Sequence, residues 1–401
     1  MGTKAWGAAA LLVAALWVDF GLAADWSVVP SINAKTEFNS NLNASFDNKL
    51  SDYIFTLTPA TEFNYTTEAS QLQGRLGLTG LKYISHTEFD HVDQSYQING
   101  QYRLSPRWNL ILNSSFIVDS TQTQELLASG LIMNRTPRRS FTVGPGITFN
   151  VTERLGATVN YTFNQVNYQD PQFQNYINQA VGLNLTYPLK NQKTSLLGNI
   201  LGRESRYPSQ GNIFRSLGIN LGAKHMFSEN WEANFLGGVN ISFLDFQTQV
   251  ADPDQSPFFI TIKQARQQET NLSPFFNVST TRRWTNLSIT GGYALDQSAS
   301  AFGSISETNR LFLNLNYNFS EKLSGSLGGI YNLSNQVSQE DNFQSDNLSV
   351  TSQVTYRVTE KLSMAPGYRF SQQDDITNSR SAKVHNVWLM LTYSYPIHYQ
   401  K

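Results

Sequence analysis

Apolar and polar residues alternate one by one over most of this chain. Between Tyr53 and Tyr65, the residues Tyr53, Phe55, Leu57, Pro59, Phe63 and Tyr65 share one parity, while Thr56, Thr58, Ala60, Glu62 and Asn64 share the other. Phe141, Val143, Pro145, Ile147, Phe149 and Val151 alternate in the same way with Thr142, Gly144, Gly146, Thr148 and Asn150. Leu311, Leu313, Leu315, Tyr317 and Phe319 alternate mainly with Asn314, Asn316 and Asn318, and Leu348, Val350, Val354 and Tyr356 with Ser349, Thr351, Gln353 and Thr355. Successive strand side chains point to opposite faces, so each segment predicts a strand greasy on one side and polar on the other.

A soluble sandwich alternates too, but its strands are usually shorter, about 5–6 residues. These segments match the ~9–11 tilted residues that cross a bilayer. Their polar faces carry Asn, Ser, Thr and Gly more than the Lys and Glu of a soluble surface, which suits a water-filled barrel interior. The expected fold is all-β, a transmembrane antiparallel up-and-down barrel of about eighteen strands. Thr194 to Arg206 and Gln71 to Leu81 alternate weakly, which leaves sixteen as the other even count. Aromatic residues gather near segment ends, at Phe63, Tyr65, Tyr102, Phe149, Tyr187, Phe227, Tyr317, Phe319, Tyr356, Tyr393 and Tyr395, as interfacial girdles do.

A turn motif recurs between segments. It reads Leu-Ser-Pro-Arg-Trp at Leu104 to Trp108, Val-Thr-Glu-Arg-Leu at Val151 to Leu155 and Phe-Ser-Glu-Asn-Trp at Phe227 to Trp231. Thr-Arg-Arg-Trp follows at Thr281 to Trp284, Phe-Ser-Glu-Lys-Leu at Phe319 to Leu323 and Val-Thr-Glu-Lys-Leu at Val358 to Leu362. A Ser or Thr hydroxyl can bond the local backbone there, and the charges keep the tip in water. The opposite connections are longer: Leu42 to Asp52, Ile84 to Asp93, Asp119 to Ser140, Gln247 to Glu269 and Val337 to Ser345. Short turns on one side and long loops on the other predict periplasmic turns, extracellular loops and both termini in the periplasm. Pro59, Pro145, Pro274 and Pro366 sit mid-strand, where a missing ladder donor calls for a local irregularity.

The N-terminus adds a destination. Lys4 precedes an apolar run from Ala5 to Val18, and Gly21-Leu22-Ala23-Ala24 offers a cleavage site. Residues 1–24 read as an export signal and 25–401 as the barrel; a retained membrane helix is the alternative, for which the run is short. The expected location is the outer membrane of a Gram-negative cell. The chain has no cysteine despite that destination, so no disulfide or Cys-based metal site stabilises it. A net charge of -1 argues against nucleic acid as a partner.

The Trp-Ser-Val-Val-Pro start at Trp26 to Pro30, the Pro-Gly and Pro-Phe strands and the Ser/Thr-Glu-Arg/Lys-Leu turns together resemble the beta-barrel porin type 2 family. That resemblance covers nearly the whole mature chain. It implies an outer-membrane porin of the kind often associated with exopolysaccharide gene clusters. The chain ends Tyr393-Ser-Tyr-Pro-Ile-His-Tyr-Gln-Lys401, without the terminal Phe or Trp common in such barrels; Tyr395 or Tyr399 would take that part.

Catalytic chemistry is not legible. No G-x-S-x-G, H-E-x-x-H or Ser-His-Asp arrangement occurs, and no cofactor site is expected. His86, Glu88, Asp90 and His91 form a polar cluster in an expected outer loop, read as a solvated loop before a metal site. The charges of lumen parity are the informative set: Lys35, Arg75, Arg103, Lys224, Arg310, Arg357 and Arg369, with Glu37, Glu62, Asp119, Glu232 and Asp296. Their mixed signs differ from the basic lining of a polyanion channel. With Asn, Gln and the inward aromatics Phe275, Phe312 and Trp388, they suit either a neutral sugar chain or an unselective aqueous pore.

Two functional classes follow. One is a transport barrel, for diffusion of small solutes or exit of an exopolysaccharide; the other is a structural or adhesive barrel whose loops bind a partner. The partners expected are outer-membrane lipid, the barrel-assembly machinery, a polysaccharide or small polar solutes and, for export, periplasmic proteins. The loop Gln247 to Glu269, with Pro253, Pro257, Phe258 and Phe259, is the expected constriction of the lumen.

Overall fold

The computed structural model describes residues 24–120, 136–251, 262–300, 303–336, 344–376 and 379–400. Nearly all of them are strand: β1 (Asp25–Asn39), β2 (Asp52–Thr66), β3 (Ser70–Tyr83), β4 (His91–Ser105), β5 (Trp108–Ser120) and β6 (Pro137–Asn150). β7 (Gly156–Tyr168), β8 (Tyr176–Pro188), β9 (Thr194–Tyr207), β10 (Asn212–Ser228), β11 (Trp231–Ala251) and β12 (Ile262–Arg283) follow. β13 (Leu287–Ala299), β14 (Ile305–Asn318), β15 (Leu323–Gln336), β16 (Gln344–Arg357), β17 (Leu362–Asp375) and β18 (Arg380–Ser394) complete the wall, and β19 (Ile397–Gln400) prolongs β18 past Pro396. Each strand pairs antiparallel with its sequence neighbour, and β1 closes the ring on β18 from Ser31↔Ser394 to Asn39↔Asn386 and on β19 from Asp25↔Gln400 to Val28↔Ile397. The barrel therefore has eighteen strand positions.

The weakly alternating segments are full strands, β3 and β9. In β9 the glycines Gly198 and Gly202 share parity with Leu196 and Ile200, while Leu197 and Leu201 share parity with Asn199, which blurs the signal. The expected loop Gln247 to Glu269 is instead largely ladder: β11 and β12 stay paired up to Ala251↔Ile262. Its Pro253, Pro257, Phe258 and Phe259 lie outside the described residues, as do 121–135 and 337–343 of two other expected loops and residues 1–23 of the expected signal.

The face assignment follows from exposure. Leu57, Leu217, Ile219, Leu221, Leu272, Leu311, Leu313 and Leu389 are exposed, all on one side of the sheet. Residues of the other parity bond across non-neighbouring strands, which only an interior allows. At one end the turns repeat a single device. The Thr152 hydroxyl accepts from the N–H of Arg154 and Leu155, Ser320 from Lys322 and Leu323, and Thr359 from Lys361 and Leu362. This turn end carries an outward aromatic belt. Arg282 lies against the rings of both Trp231 and Trp284, at 5.3 and 4.6 Å, and Trp108 stacks on Phe149 at 4.7 Å.

Pro59, Pro145, Pro274 and Pro366 all sit on the outward face, and each interrupts one ladder. β2 and β3 lose two pairs between Leu57↔Gly80 and Ala60↔Gly77 at Pro59; β6 and β7 lose two between Val143↔Phe163 and Gly146↔Asn160 at Pro145. β16 and β17 lapse between Gln353↔Gly367 and Tyr356↔Met364 at Pro366. Register on the other side is kept in every case, as in Ile32↔Pro59 and Pro366↔Leu389. A proline has no N–H to donate, so the lapse falls on one neighbour only. At Pro274 the ladder does not resume: β12 and β13 pair from Arg283↔Ser288 to Phe276↔Leu295 and no further.

Candidate functional site

Beyond Leu295, β13 leaves the wall and leans inward. The Arg203 guanidinium on β9 donates to both oxygens of Asp296, at 3.1 and 3.3 Å, and to the carbonyl of Gln297 at 2.8 Å. In the ring β9 and β13 are separated by three strands, so this contact crosses the interior. The Tyr207 hydroxyl donates to the carbonyls of Ser300 and Ser304, at 3.0 and 2.8 Å. Ser242 of β11 donates to Gln297 at 2.8 Å, and Asn212 of β10 to the carbonyl of Gly303 at 3.3 Å. Around these bonds Tyr207, Phe214, Leu244, Ala299 and Ile305 form one buried apolar cluster with Val166, Tyr168, Phe173 and Tyr176. The β13–β14 hairpin is thus docked on the inner face of β9–β11 at the loop end.

The loop Gln247 to Glu269 was the expected constriction, yet its described part prolongs the wall, and the hairpin docked across the interior is a different one. Nothing in Ser298 to Ser306 marks that hairpin in the sequence, because small polar residues read as an ordinary turn. Arg203 and Tyr207 went unnoticed because β9 alternates poorly. Arg138 was missed too, though its even spacing from Ser140, Thr142 and Gly144 put it on the polar parity.

The charges selected from the sequence all occupy inward register positions. The structure brings several together. Glu62 pairs with Arg75 at 3.5 Å, Asp119 with Arg138 at 3.0 Å, and Glu232 with Lys224 at 2.8 Å and Arg283 at 3.7 Å. Lys35 pairs with Glu37, to which Asn386 also donates. Others find neutral partners: Arg103 the carbonyl of Glu68 at 2.6 Å, Arg310 Asn332 at 3.1 Å and Arg369 the Thr351 hydroxyl at 3.2 Å. Arg357 lines a hollow of about 530 Å³ near the turn end with Glu321, Lys322 and Ser363.

Between these charges runs a neutral, hydrogen-bonded stretch of the inner wall. Asn184 donates to Asn160 at 3.1 Å, Asn199 to Asn184 at 2.8 Å and Asn220 to Asn199 at 2.9 Å, a directional amide ladder across β7–β10. The amide supplies donor and acceptor together, so one residue type repeats across strands without leaving a charge. Trp388 lies flat over Gly367, where an added Cβ would sit 2.3 Å from the indole.

The His86 cluster divides into separate contacts. His86 meets Glu88 at 3.0 Å, His91 meets Asp93 at 3.3 Å, and Asp90 is engaged by Lys82. The Lys82 ammonium and the Tyr83 N–H hold the Asp90 carboxyl below its usual range. Among the described residues no group of three or more His, Asp or Glu is placed to hold a metal ion.

No protein-family model matches the chain, and no curated protein does. Solved structures do. OccAB3 of Acinetobacter baumannii is 10% identical with a TM-score of 0.46, covering 93% of this chain and 99% of that one. The outer membrane protein opdK of Pseudomonas aeruginosa is 9% identical with a TM-score of 0.47, covering 93% and 99%. OccK2 (OpdF) of Pseudomonas aeruginosa, in complex with glucuronate, is 11% identical with a TM-score of 0.44, covering 94% and 98%. At such identity the likeness extends to the fold alone.

Proposed function

We propose that the protein is an outer-membrane pore for small polar solutes, narrowed at its loop end by the β13–β14 hairpin. A barrel of ~16–18 strands is wide enough to leave an aqueous channel unless something fills it. The Arg203–Asp296 contact across the interior carries the reading, because it places chain inside that width. On this reading residues 1–24 are the export signal, the turn end faces the periplasm and the exposed leucine band faces lipid. The inward charges Lys35, Glu62, Arg75, Arg103, Asp119, Lys224, Glu232, Asp296, Arg310, Arg357 and Arg369 line the water path. Most are held by partners on the same wall, which favours a structural part for them over direct solute contact.

Small-solute diffusion is favoured over exopolysaccharide export. A polymer needs the loop-end cross-section into which the hairpin leans. Membership of the beta-barrel porin type 2 family belongs to the same reading and rests on the hydroxyl-capped turns and strand prolines. The test is single-channel recording in planar bilayers. Ohmic steps that shrink when small sugars are added support the pore.

One observation favours the adhesive reading. The β11–β12 ladder continues to Ala251↔Ile262, while the last β10 partner is Ile213↔Asp245. That hairpin stands clear of both neighbours and presents strand edges. A folded, heat-modifiable barrel without any conductance would move the assignment to this alternative.

A further inference from the structure

At the loop end of the β9–β12 wall, a cluster of charges sits on the outward face. Glu204 and Arg206 on β9, Arg215 on β10, Asp245 on β11 and Arg266 on β12 all occupy outward positions at the loop end. Glu204 accepts from Arg206 at 2.5 Å and from Arg215 at 2.8 Å; Asp245 accepts from Arg266 at 2.5 Å. Every one of these bonds uses the guanidinium Nε. The Nη edges therefore carry no hydrogen bond among the described residues, and the three side chains are 52%, 60% and 56% exposed. A guanidinium fixed through Nε and open at Nη presents the fork that a phosphate takes in bidentate fashion. Two carboxylates against three guanidinium groups leave a surplus positive charge.

A hollow of about 420 Å³ in the outer wall adjoins this belt, with Glu204 and Arg215 on its rim. Its floor is Gly202, where an added Cβ would meet nothing within 4 Å, and its sides are Val181, Leu217 and Phe243. The rows beneath are apolar, with Leu183, Ile200, Ile219 and Val239 outward. Charges are tolerated on a barrel's lipid face only near the headgroups, so the belt fixes that level and the hollow lies among acyl chains.

We infer that the β8–β12 wall binds a phosphate-bearing lipid of the outer leaflet, with its phosphate on Arg206, Arg215 and Arg266 and an acyl chain in the Gly202 hollow. The inference rests on the outer-membrane reading but not on conductance.

The test uses the full-length barrel in maltoside micelles, offered lipid A with two phosphates or its fully dephosphorylated form, with retained lipid counted by native mass spectrometry. The wild type is expected to retain the phosphorylated form at least tenfold more. The triple variant Arg206→Gln, Arg215→Gln, Arg266→Gln should lose that preference while remaining heat-modifiable. Gly202→Leu should lower retention of both lipids severalfold and keep the preference, since it fills the hollow and leaves the belt. Equal retention of the two lipids by the wild type, or an unchanged preference in the triple variant, overturns the proposal. Complete displacement of the lipid by millimolar inorganic phosphate also overturns it, since the site would then take a free anion.

Discussion

Arg203 on β9 holds Asp296 on β13 through both carboxylate oxygens, across a width that three intervening strands span in the wall. The side chains are 33% and 42% exposed, so the pair is partly screened and is worth roughly 1 kcal/mol as a partly exposed ion pair. Its weight is positional. Arg203→Ala should loosen the hairpin, raise mean single-channel conductance and increase open-state noise. Exchange of the charges, Arg203→Asp with Asp296→Arg, should return both toward wild type. Wild-type conductance in Arg203→Ala would remove this pair from the constriction.

Leu313 and its neighbour Asn314 test the two faces. Leu313 is exposed on the lipid side, in register with Gly291, and Asn314 faces inward beside Gly328. Leu313→Arg should cost about 2–4 kcal/mol in reversible folding into micelles or bilayers. Asn314→Arg should cost far less and shift reversal potential toward anions. Equal costs would show that the faces are wrongly assigned.

How far the sequence carried this architecture varies from element to element. Alternation sufficed for β2, β6, β14 and β16, because most of their apolar side chains fall on one parity, with Ile54, Ala60 and Phe312 as the exceptions. The hydroxyl-capped turns were legible for the same local reason: Thr152, Ser320 and Thr359 bond residues two and three positions on. The inward hairpin was not legible, because its docking is tertiary. Tyr207 and Arg203 meet backbone carbonyls and one carboxylate from a segment about ninety residues away, and no periodic pattern encodes that. The outer belt was missed because Glu204 and Arg206 break the apolar parity of β9, which weakened the strand assignment there.

Gly367 and Trp388 are cross-strand partners on the inner wall, and the indole covers the glycine. Gly367→Val should therefore destabilise by about 1–3 kcal/mol through overpacking. Its tryptophan emission should shift to the red as the ring is pushed off. Adding Trp388→Ala should recover part of the loss. A Gly367→Val barrel as stable as wild type, with unshifted emission, would show that the ring does not rest there.

The Lys82–Asp90 contact predicts a pH response of the β3–β4 connection. Asp90 is held below its usual range by Lys82 and by the Tyr83 N–H, so its charged form belongs to the ordered loop. The contribution is fully present above the ordinary aspartate value of 3.8 and is lost as pH falls through the lower folded value. After correction for intrinsic exchange, amide protection at Tyr83 should stay level above that value and fall below it. Asp90→Asn should flatten the profile. A wild-type profile that is already flat would detach Asp90 from the order of this loop.

The constriction itself distinguishes two hairpins. The ladder of β13 with β14 runs to Ala299↔Ile305, and the residues beyond that pair make the contacts to Tyr207 and Asn212. Replacing Ser300 to Ser304 by Asn-Gly leaves a two-residue hairpin turn of a favoured type, so β13 and β14 keep their register. The shortened hairpin loses both Tyr207 bonds and the Asn212 bond, and should no longer reach the far wall. Conductance and uptake of small sugars should rise, with heat-modifiable migration unchanged. Removing residues 252–261 with a similar turn should do neither, since β11 and β12 are already paired at Ala251↔Ile262 as part of the wall's extension. The reverse result, with conductance rising only after the second deletion, would assign the constriction to the β11–β12 connection. Conductance in none of the three proteins would favour the adhesive barrel over the pore.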